Sequence, residues 1–175
     1  VATALGPMLI TAYYNLNGSV ERVSKAELQN LEQLSASLAG RVSQLITDSK
    51  NLAAFLATDE EFIGFIAAPQ EDRKAVLKKK LDNLVESNPD VQLAMIFDSG
   101  GTAVVSSDPQ VMGRNFKFRE YFQKAMGGES FTTGIVVGAV AGEPGVFYSN
   151  PVFDGQKNVI GAVVLRIRGQ SIAKI

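Results

Sequence analysis

Two arginines, a tyrosine and a serine are the residues of this sequence best suited to hold a small anion. Arg119 and Tyr121 stand in GRNFKFREYF at positions 113–122, and Ser149 stands in GVFYSNPVF at positions 145–153. A guanidinium is a planar fork of donors that matches a carboxylate, and hydroxyl groups add further hydrogen bonds. These residues predict anion binding rather than catalysis, because no nucleophile with a paired base accompanies them.

Each of these residues also has a plainer interpretation. Arg119 could pair with Glu120 or a nearby loop in solvent, and Tyr121 could be an aromatic at the edge of the core. On a strand at positions 146–153, alternation places Phe147 and Ser149 on one face, and a small hydroxyl beside an aromatic suits a ligand-facing position. Ser149 could equally be a strand serine with no ligand.

Arg166 is a charge at the end of a nearly all-apolar strand. Alternation puts it on the face of Ile160, Ala162 and Val164, and a charge on a buried strand needs a partner. Three interpretations stand: the strand has reached its exposed end, Arg166 pairs with an acid such as Asp98, or it is a second cation for a second carboxylate.

The composition excludes several kinds of chemistry. The 175 residues include no Cys and no His, which rules out disulfides, Cys or His zinc ligands, His-ligated haem and Ser-His-Asp triads. No segment matches a calcium-binding loop, so we expect no metal, no cofactor and no enzymatic activity in the domain. The net charge of -1 and the lack of basic runs with interleaved aromatics argue against nucleic acid.

A long helix is predicted at positions 21–57, because apolar residues recur there every seven residues. Residues 15–19 supply breaker and cap residues just before it. The seam packs on its own domain, or part of it also forms a dimer contact. Its two series are Leu31, Leu38, Leu45 and Leu52, and, with two serine interruptions, Leu28, Ser35, Val42, Ser49 and Leu56.

The remaining pattern predicts an α+β fold. Helices are expected at 59–67, 72–86 and 116–126, and strands at 91–98, 102–107, 131–140, 146–153 and 159–167. Tight turns between most strands indicate a five-stranded antiparallel sheet. Because the strands are apolar on both sides, the long helix should cover one face and the 116–126 helix the other.

The order and the residue patterns of these segments resemble the Cache family, the PAS-like (PDC) extracellular sensor domains of bacterial chemoreceptors and sensor kinases. The resemblance covers about residues 21–167. It is carried by IFDSGGTAVVSSD at 96–108, GRNFKFREYFQKA at 113–125, G-x-x-x-G-x-P-G at 138–145, YSNPV at 148–152 and VIGAVVLRI at 159–167. It is similar in detail to C4-dicarboxylate sensor kinases, which carry two such modules where this chain holds one.

The resemblance implies a ligand site. In the family, the Arg of an R-x-[YW]-[YF] element grips a ligand carboxylate. That Arg matches Arg119, with Tyr121 and Phe122 at the aromatic positions. Amino-acid-sensing members carry a Tyr where this chain has Arg114, and a Trp where it has Tyr121. The ligand implied is a small organic acid of the acetate, pyruvate, malate or succinate class.

The resemblance also implies a place in a larger receptor. The expected role is a periplasmic or extracellular sensor of a bacterial inner-membrane protein, homodimeric in the intact receptor. Residues 1–20 are the end of a transmembrane helix or an ordinary apolar segment, 21–57 the long helix, 58–170 the sensor core, and 171–175 the start of a connection to the membrane or the next module. The alternatives are an amino-acid sensor and a ligand-free dimerisation module.

Overall fold

A computed structural model describes residues 2–138 and 142–173, with side chains at residue 8 and throughout 25–138 and 142–172. The chain divides into two compact units, Val1–Ser43 and Gln44–Ile175. The predicted site residues all lie in the second unit. Nowhere in these described parts of the chain is a helix both long and apolar enough to cross a membrane.

The long helix α1 spans Ala2–Ala57. It runs through residues 15–19, so the helix start predicted there is wrong. A single Gly18 costs a helix only about 1 kcal/mol relative to Ala, which a helix of this length can absorb. Within the first unit, Leu28, Leu31 and Leu34 are exposed.

Two shorter helices follow, close to their predicted bounds. Helix α2 spans Glu60–Ala67 and α3 spans Glu71–Ser87. Asp59 caps α2, because its side chain accepts a hydrogen bond from the backbone N–H of Glu61 at 3.0 Å. With the last turns of α1, these helices cover one face of the sheet and build a core that includes Leu56, Phe62, Leu77, Leu81, Ile96 and Leu165.

The sheet is antiparallel with strand order β2-β1-β6-β5-β3, and β4 also pairs with β5. The first pair forms a hairpin, in which Gly101 adopts a φ of 85° that favours glycine. The strand bounds are β1 Val91–Asp98, β2 Ala103–Ser106, β3 Phe131–Thr132, β4 Val136–Val137, β5 Pro144–Phe153 and β6 Val159–Arg168.

The sheet has six strands rather than five, because the strand predicted at 131–140 is divided into β3 and β4. Between them the Oγ1 atom of Thr133 accepts the backbone N–H of Phe147 at 3.0 Å. The Thr133 side chain thus supplies one of the hydrogen bonds along the edge of β5, and residues 134–135 belong to neither β3 nor β4. The predicted α+β class, with a long N-terminal helix and an antiparallel sheet, is confirmed.

The opposite face of the sheet carries helix α4, Glu120–Met126. It is shorter than the predicted 116–126 helix, because the backbone N–H of Phe116 bonds to the carbonyl of Gly101 at 2.7 Å and holds this segment against the β1–β2 hairpin. Arg119 is therefore the extended residue just before α4, with φ -79° and ψ 133°. A short helix α5, Gly169–Ala173, ends the described chain.

Residues on β5 alternate between the two faces as predicted. Phe147 belongs to the core under α4 and Tyr148 to the core under α1. On β6, Ala162 and Val164 lie on the α4 side, but Ile160 packs with the α1 side. The prediction for Ile160 is wrong because the register between β5 and β6 shifts there, where Val152 pairs with Gly161 and Phe153 with Val159.

Candidate ligand-binding site

A cleft opens between the sheet and the segment that leads into α4. Its empty volume is about 370 Å³ when the open mouth is included. A larger groove of about 970 Å³ runs beside α1. The cleft near α4 is therefore distinguished by its charged lining residues and not by its size. Leu93, Met95, Val111 and Phe116 form its apolar lining, and the other lining residues are Asp108, Arg119, Tyr121, Gly138, Phe147 and Arg166.

Arg119 reaches the cleft from the residue before α4. Its guanidinium carbon lies 5.1 Å from the centroid of the Phe118 ring, a cation–π contact. Its Nε atom is buried and has no hydrogen-bond partner. Arg119 is half-buried, and among the described residues it forms no ion pair with Glu120.

Tyr121 forms one wall of the cleft. Its ring stacks on that of Phe147 with centroids 5.0 Å apart and planes 10° apart. Burial raises the pKa of Tyr121 to about 12, although the positive charges of Arg119 and Arg166 act in the opposite direction. The phenol therefore remains protonated at neutral pH and can donate a hydrogen bond.

Arg166 is the most deeply buried charge of the site, with 2% of its surface exposed. It pairs in register with Phe147 on β5 and Leu93 on β1, and its guanidinium carbon lies 5.5 Å from the Phe147 ring centroid. Its Nη2 atom donates to the carbonyl of Glu143, but its Nε atom has no partner. Burial lowers the pKa of Arg166, and the Glu143 carboxylate opposes that shift.

An exposed strand end and a pair with Asp98 are thereby excluded for Arg166. Its burial is inconsistent with an exposed strand end. Asp98 pairs with Gly161, five residues away along β6, and its Oδ1 atom accepts the backbone N–H of Thr102 at 2.8 Å. The remaining prediction, a second cation for a ligand, is compatible with its position in the cleft.

Two glycines make room for this guanidinium. A β-carbon on Gly138 would stand 2.8 Å from Cζ of Arg166, and one on Gly145 would stand 2.8 Å from its Nε. Both distances are shorter than real β-carbon contacts allow. These glycines belong to the G-x-x-x-G-x-P-G segment. The sequence analysis gave that segment no function, but glycines are typical of places where the backbone lies very close to another group.

Two predicted site residues lie outside the cleft lining. Phe122 is buried and packs edge-on against Phe97, with ring centroids 5.7 Å apart. Ser149 is buried and donates to the carbonyl of Tyr121 at 2.8 Å. It therefore positions the tyrosine rather than facing the cleft. Asp108, which does line the cleft, was missed, because its place after β2 resembles an ordinary turn.

An antiparallel sheet with a long helix on one face and a short, ligand-side helix on the other is the architecture of PAS-like sensor domains. Residues 19–175 match the family model of the Cache domain. Since the match spans most of the sequence, the chain belongs to the Cache family, and the predicted membership is confirmed.

Solved structures agree with this assignment. The sensor domain of the histidine kinase DctB from V. cholerae aligns with a TM-score of 0.74 and 19% identity, over 86% of this chain and 59% of that one. The E. coli DcuS sensor domain aligns with a TM-score of 0.66 and 17% identity, over 77% of this chain and 96% of that one.

A chemoreceptor domain is also similar. The ligand-binding domain of the amino acid chemoreceptor PctC from Pseudomonas aeruginosa PAO1, in complex with GABA, has a TM-score of 0.62 and 18% identity, over 82% of this chain and 65% of that one. At such identities the likeness establishes the fold. This chain covers less than two thirds of the DctB and PctC chains. No curated protein matches it significantly.

Proposed function

We propose that this domain is the ligand-sensing part of a transmembrane signalling receptor, and that it binds a small carboxylate in the cleft. The observation that carries this proposal is the convergence of Arg119 and Arg166, each with a buried Nε that lacks a hydrogen-bond partner. A buried donor without a partner costs about 1–3 kcal/mol. A carboxylate between the two arginines would relieve that cost with charge-assisted hydrogen bonds.

The apolar walls strengthen the binding of an anion. Tyr121 and Phe147 shield the arginines from water on one side, and electrostatic attraction is stronger where water is excluded. The Tyr121 hydroxyl, kept protonated by its raised pKa, would donate a further bond. Arg119, Tyr121, Phe147 and Arg166 are the proposed ligand contacts. Ser149 holds the backbone of the tyrosine, and Phe122 packs in the core against Phe97.

A structural change caused by ligand binding would be transmitted to α1 through strand β5. Phe147 faces the cleft, and the adjacent Tyr148 faces the other side, where Ser49 on α1 opposes the increase in the pKa of Tyr148 that burial causes. Ser49 in turn donates to the carbonyl of Leu45 at 2.6 Å. A ligand that shifts β5 would therefore shift this contact, in proportion to its differential affinity for the two states.

The wider context forms part of the same proposal. The domain would lie outside the cytoplasm of a bacterium, in a homodimeric chemoreceptor or sensor histidine kinase anchored in the inner membrane. Residues 171–175 would begin the connection to the membrane or to a further module. The fold of the DctB and PctC domains supports this context, and any kinase activity would belong to another part of the receptor.

A thermal-shift and calorimetric screen tests the ligand proposal. Acetate, pyruvate, malate, succinate and amino acids are titrated into the protein and into Arg119→Ala. A ligand at one hundred times its Kd adds about 2.7 kcal/mol to the unfolding free energy, which is several degrees in Tm. We expect at least one acid to stabilise the protein and Arg119→Ala to abolish the effect.

Arg114→Ala is the matched control, because Arg114 is exposed and does not line the cleft. It should leave the shift unchanged. Stabilisation that survives in Arg119→Ala, or no response to any carboxylate, would overturn the proposal.

A further inference from the structure

Strand β1 carries a bulge opposite Arg166. Val91 pairs with Ile167 and Leu93 pairs with Arg166, so Gln92 is an extra residue without a partner on β6. Val91 packs on the α1 side of the sheet and Leu93 on the cleft side, although residues two apart on a regular strand share a face. Bulges re-aim a side chain and are over-represented next to active sites. The bulge thus gives the Gln92 side chain a direction that regular alternation would not.

The Gln92 side chain is directed at Glu143 in the turn between β4 and β5. Its Nε2 atom donates to Oε2 of Glu143 at 2.6 Å, across 51 residues of sequence. A carboxylate only accepts hydrogen bonds, so the amide turns its nitrogen toward Glu143 and its Oε1 atom away. That Oε1 atom is buried and has no partner among the described residues. A buried acceptor without a partner is unusual and calls for an explanation beyond stability.

Glu143 in turn holds Arg166 through its backbone. Its carbonyl accepts a hydrogen bond from Nη2 of Arg166 and another from the N–H of Gly138 at 3.0 Å. Its carboxylate opposes the decrease in the pKa of Arg166 that burial causes, yet among the described residues the two charges form no ion pair within 4.0 Å. Glu143 is therefore fixed at both ends, by Gln92 at its side chain and by Gly138 at its backbone.

We infer that Gln92 is a positioning residue for Arg166, and that it acts by holding the Glu143 carboxylate away from the guanidinium. The inference rests on the proposed function and names what regulates the same site. While the bond is in place, Glu143 offers Arg166 only its carbonyl, and the charge of the arginine is available to an anion in the cleft. Without the bond, the carboxylate can pair with Arg166 through charge-assisted hydrogen bonds and compete with that anion. Gln92 does this without lining the cleft itself.

The competing explanation is that the bond between Gln92 and Glu143 only stabilises the bulge. A bond of that kind adds to the unfolding free energy, and its removal leaves the Kd of the folded protein as it was. A positioning role predicts that removing the bond raises the Kd. It also predicts that the increase depends on the charge of Glu143, because the freed carboxylate is what competes for Arg166.

The experiment uses isothermal titration calorimetry with acetate, pyruvate, malate and succinate in a double-mutant cycle. Gln92→Met keeps the length of the side chain and removes its donor, and Glu143→Gln keeps the carbonyl and removes the charge. We expect Gln92→Met to weaken the tightest-binding acid at least about threefold, as for residues in one hydrogen-bond network. In the Glu143→Gln background the same change should alter the Kd less than about twofold, within the error of additive effects.

Gln44→Met is the matched control. It removes the same kind of bond, from Nε2 of Gln44 to Oδ1 of Asp48 at 2.8 Å, on the exposed surface of α1. It should leave the Kd for each acid unchanged. Urea unfolding of every variant reports stability separately from affinity. Gln92→Ala also removes the donor and is measured beside Gln92→Met, so a folding defect in one variant does not prevent a decision.

The outcomes separate the role of Gln92 from the proposed function. If an acid binds, Arg119→Ala abolishes its binding and Gln92→Met binds it as tightly as the unmodified protein, the carboxylate site stands and the role of Gln92 is overturned. An equal loss of affinity in the Glu143→Gln background also overturns that role, because the carboxylate would then not be the competitor. If none of the four acids binds the unmodified protein, both proposals fail.

Discussion

The guanidinium of Arg166 lies directly against the backbone of Gly138, so that a β-carbon at Gly138 would stand 2.8 Å from Cζ and Nη1 of the arginine. The next residues of that segment continue the contact, since the Glu143 carbonyl accepts a bond from Arg166 and also one from the N–H of Gly138 at 3.0 Å. A buried cation is thus held by the backbone, and the Glu143 carboxylate acts on it electrostatically without an ion pair within 4.0 Å among the described residues.

Gly138→Ala should therefore displace Arg166. We expect a loss of about 1–3 kcal/mol in unfolding free energy, as for other overpacked sites, and weaker carboxylate binding. Chemical denaturation and calorimetry measure the two effects. Gly134→Ala is the control, since a β-carbon there would meet nothing within 4 Å.

A second variant tests the cause of this loss. In an Arg166→Met background the methionine is flexible and can move aside, so Gly138→Ala should cost at least about 0.5 kcal/mol less than in the unmodified protein. Equal costs in the two backgrounds would show that the alanine acts through something other than the guanidinium.

Ser149→Ala should weaken ligand binding, although Ser149 does not line the cleft. The serine hydroxyl donates to the Tyr121 carbonyl at 2.8 Å inside the core, and a hydrogen bond of this kind contributes about 0.5–1.5 kcal/mol. We expect lower stability and a few-fold weaker carboxylate binding. Ser87→Ala removes a comparable but exposed bond, to the Asn83 carbonyl at 2.7 Å, and should change neither quantity appreciably. Unchanged affinity in Ser149→Ala would contradict a positioning role.

The sequence predicted the strands and the alternation of β5 well, because both follow from the period of apolar residues. The side chains Arg119, Tyr121, Phe147 and Arg166 do come together in one cleft. Ser149 lies on the predicted face of β5, where its hydroxyl donates to the carbonyl of Tyr121. Alternation tells which way a side chain points, whereas its partner depends on how α4 packs, and that is a tertiary property.

Other features depended on contacts between distant segments. Asp108 and Arg166 line the same cleft only because two separate parts of the chain converge there, and nothing local to the turn of Asp108 indicates this. Ser49 interrupts the heptad pattern of α1, yet it is buried and donates to the carbonyl of Leu45 at 2.6 Å. A polar residue in an apolar series can thus mark a specific bond, which the series alone does not reveal.

The exposed leucines of the first unit predict self-association. Leu28, Leu31 and Leu34 expose 59%, 62% and 56% of their surface, and two of them belong to the heptad series. Leu31→Glu should shift a dimer toward monomer in sedimentation experiments, because a charge in such a seam is costly. Ala36→Glu adds the same charge off both series and should have little effect. A monomeric unmodified protein would show that the exposed leucines do not drive self-association of this domain.

Tyr121 should make stability fall at high pH. Below pH 10 the phenol is protonated in both the folded and the unfolded chain, so it contributes no pH dependence. Burial raises its folded pKa to about 12, so between pH 10 and 12 the unfolded chain loses a proton that the folded chain keeps. The unfolding free energy then decreases with pH, by at most about 2–3 kcal/mol for a two-unit shift.

Tyr121→Phe removes the titrating group and should flatten this part of the curve. The measurement is urea unfolding of both proteins at pH 8 and at several values from 10 to 12, with the difference between them as the readout. Tyr148 also has a raised pKa, mainly through burial, but it is present in both proteins and cancels. If the two proteins lose stability in parallel, the Tyr121 phenol is not the buried group proposed to donate to the ligand.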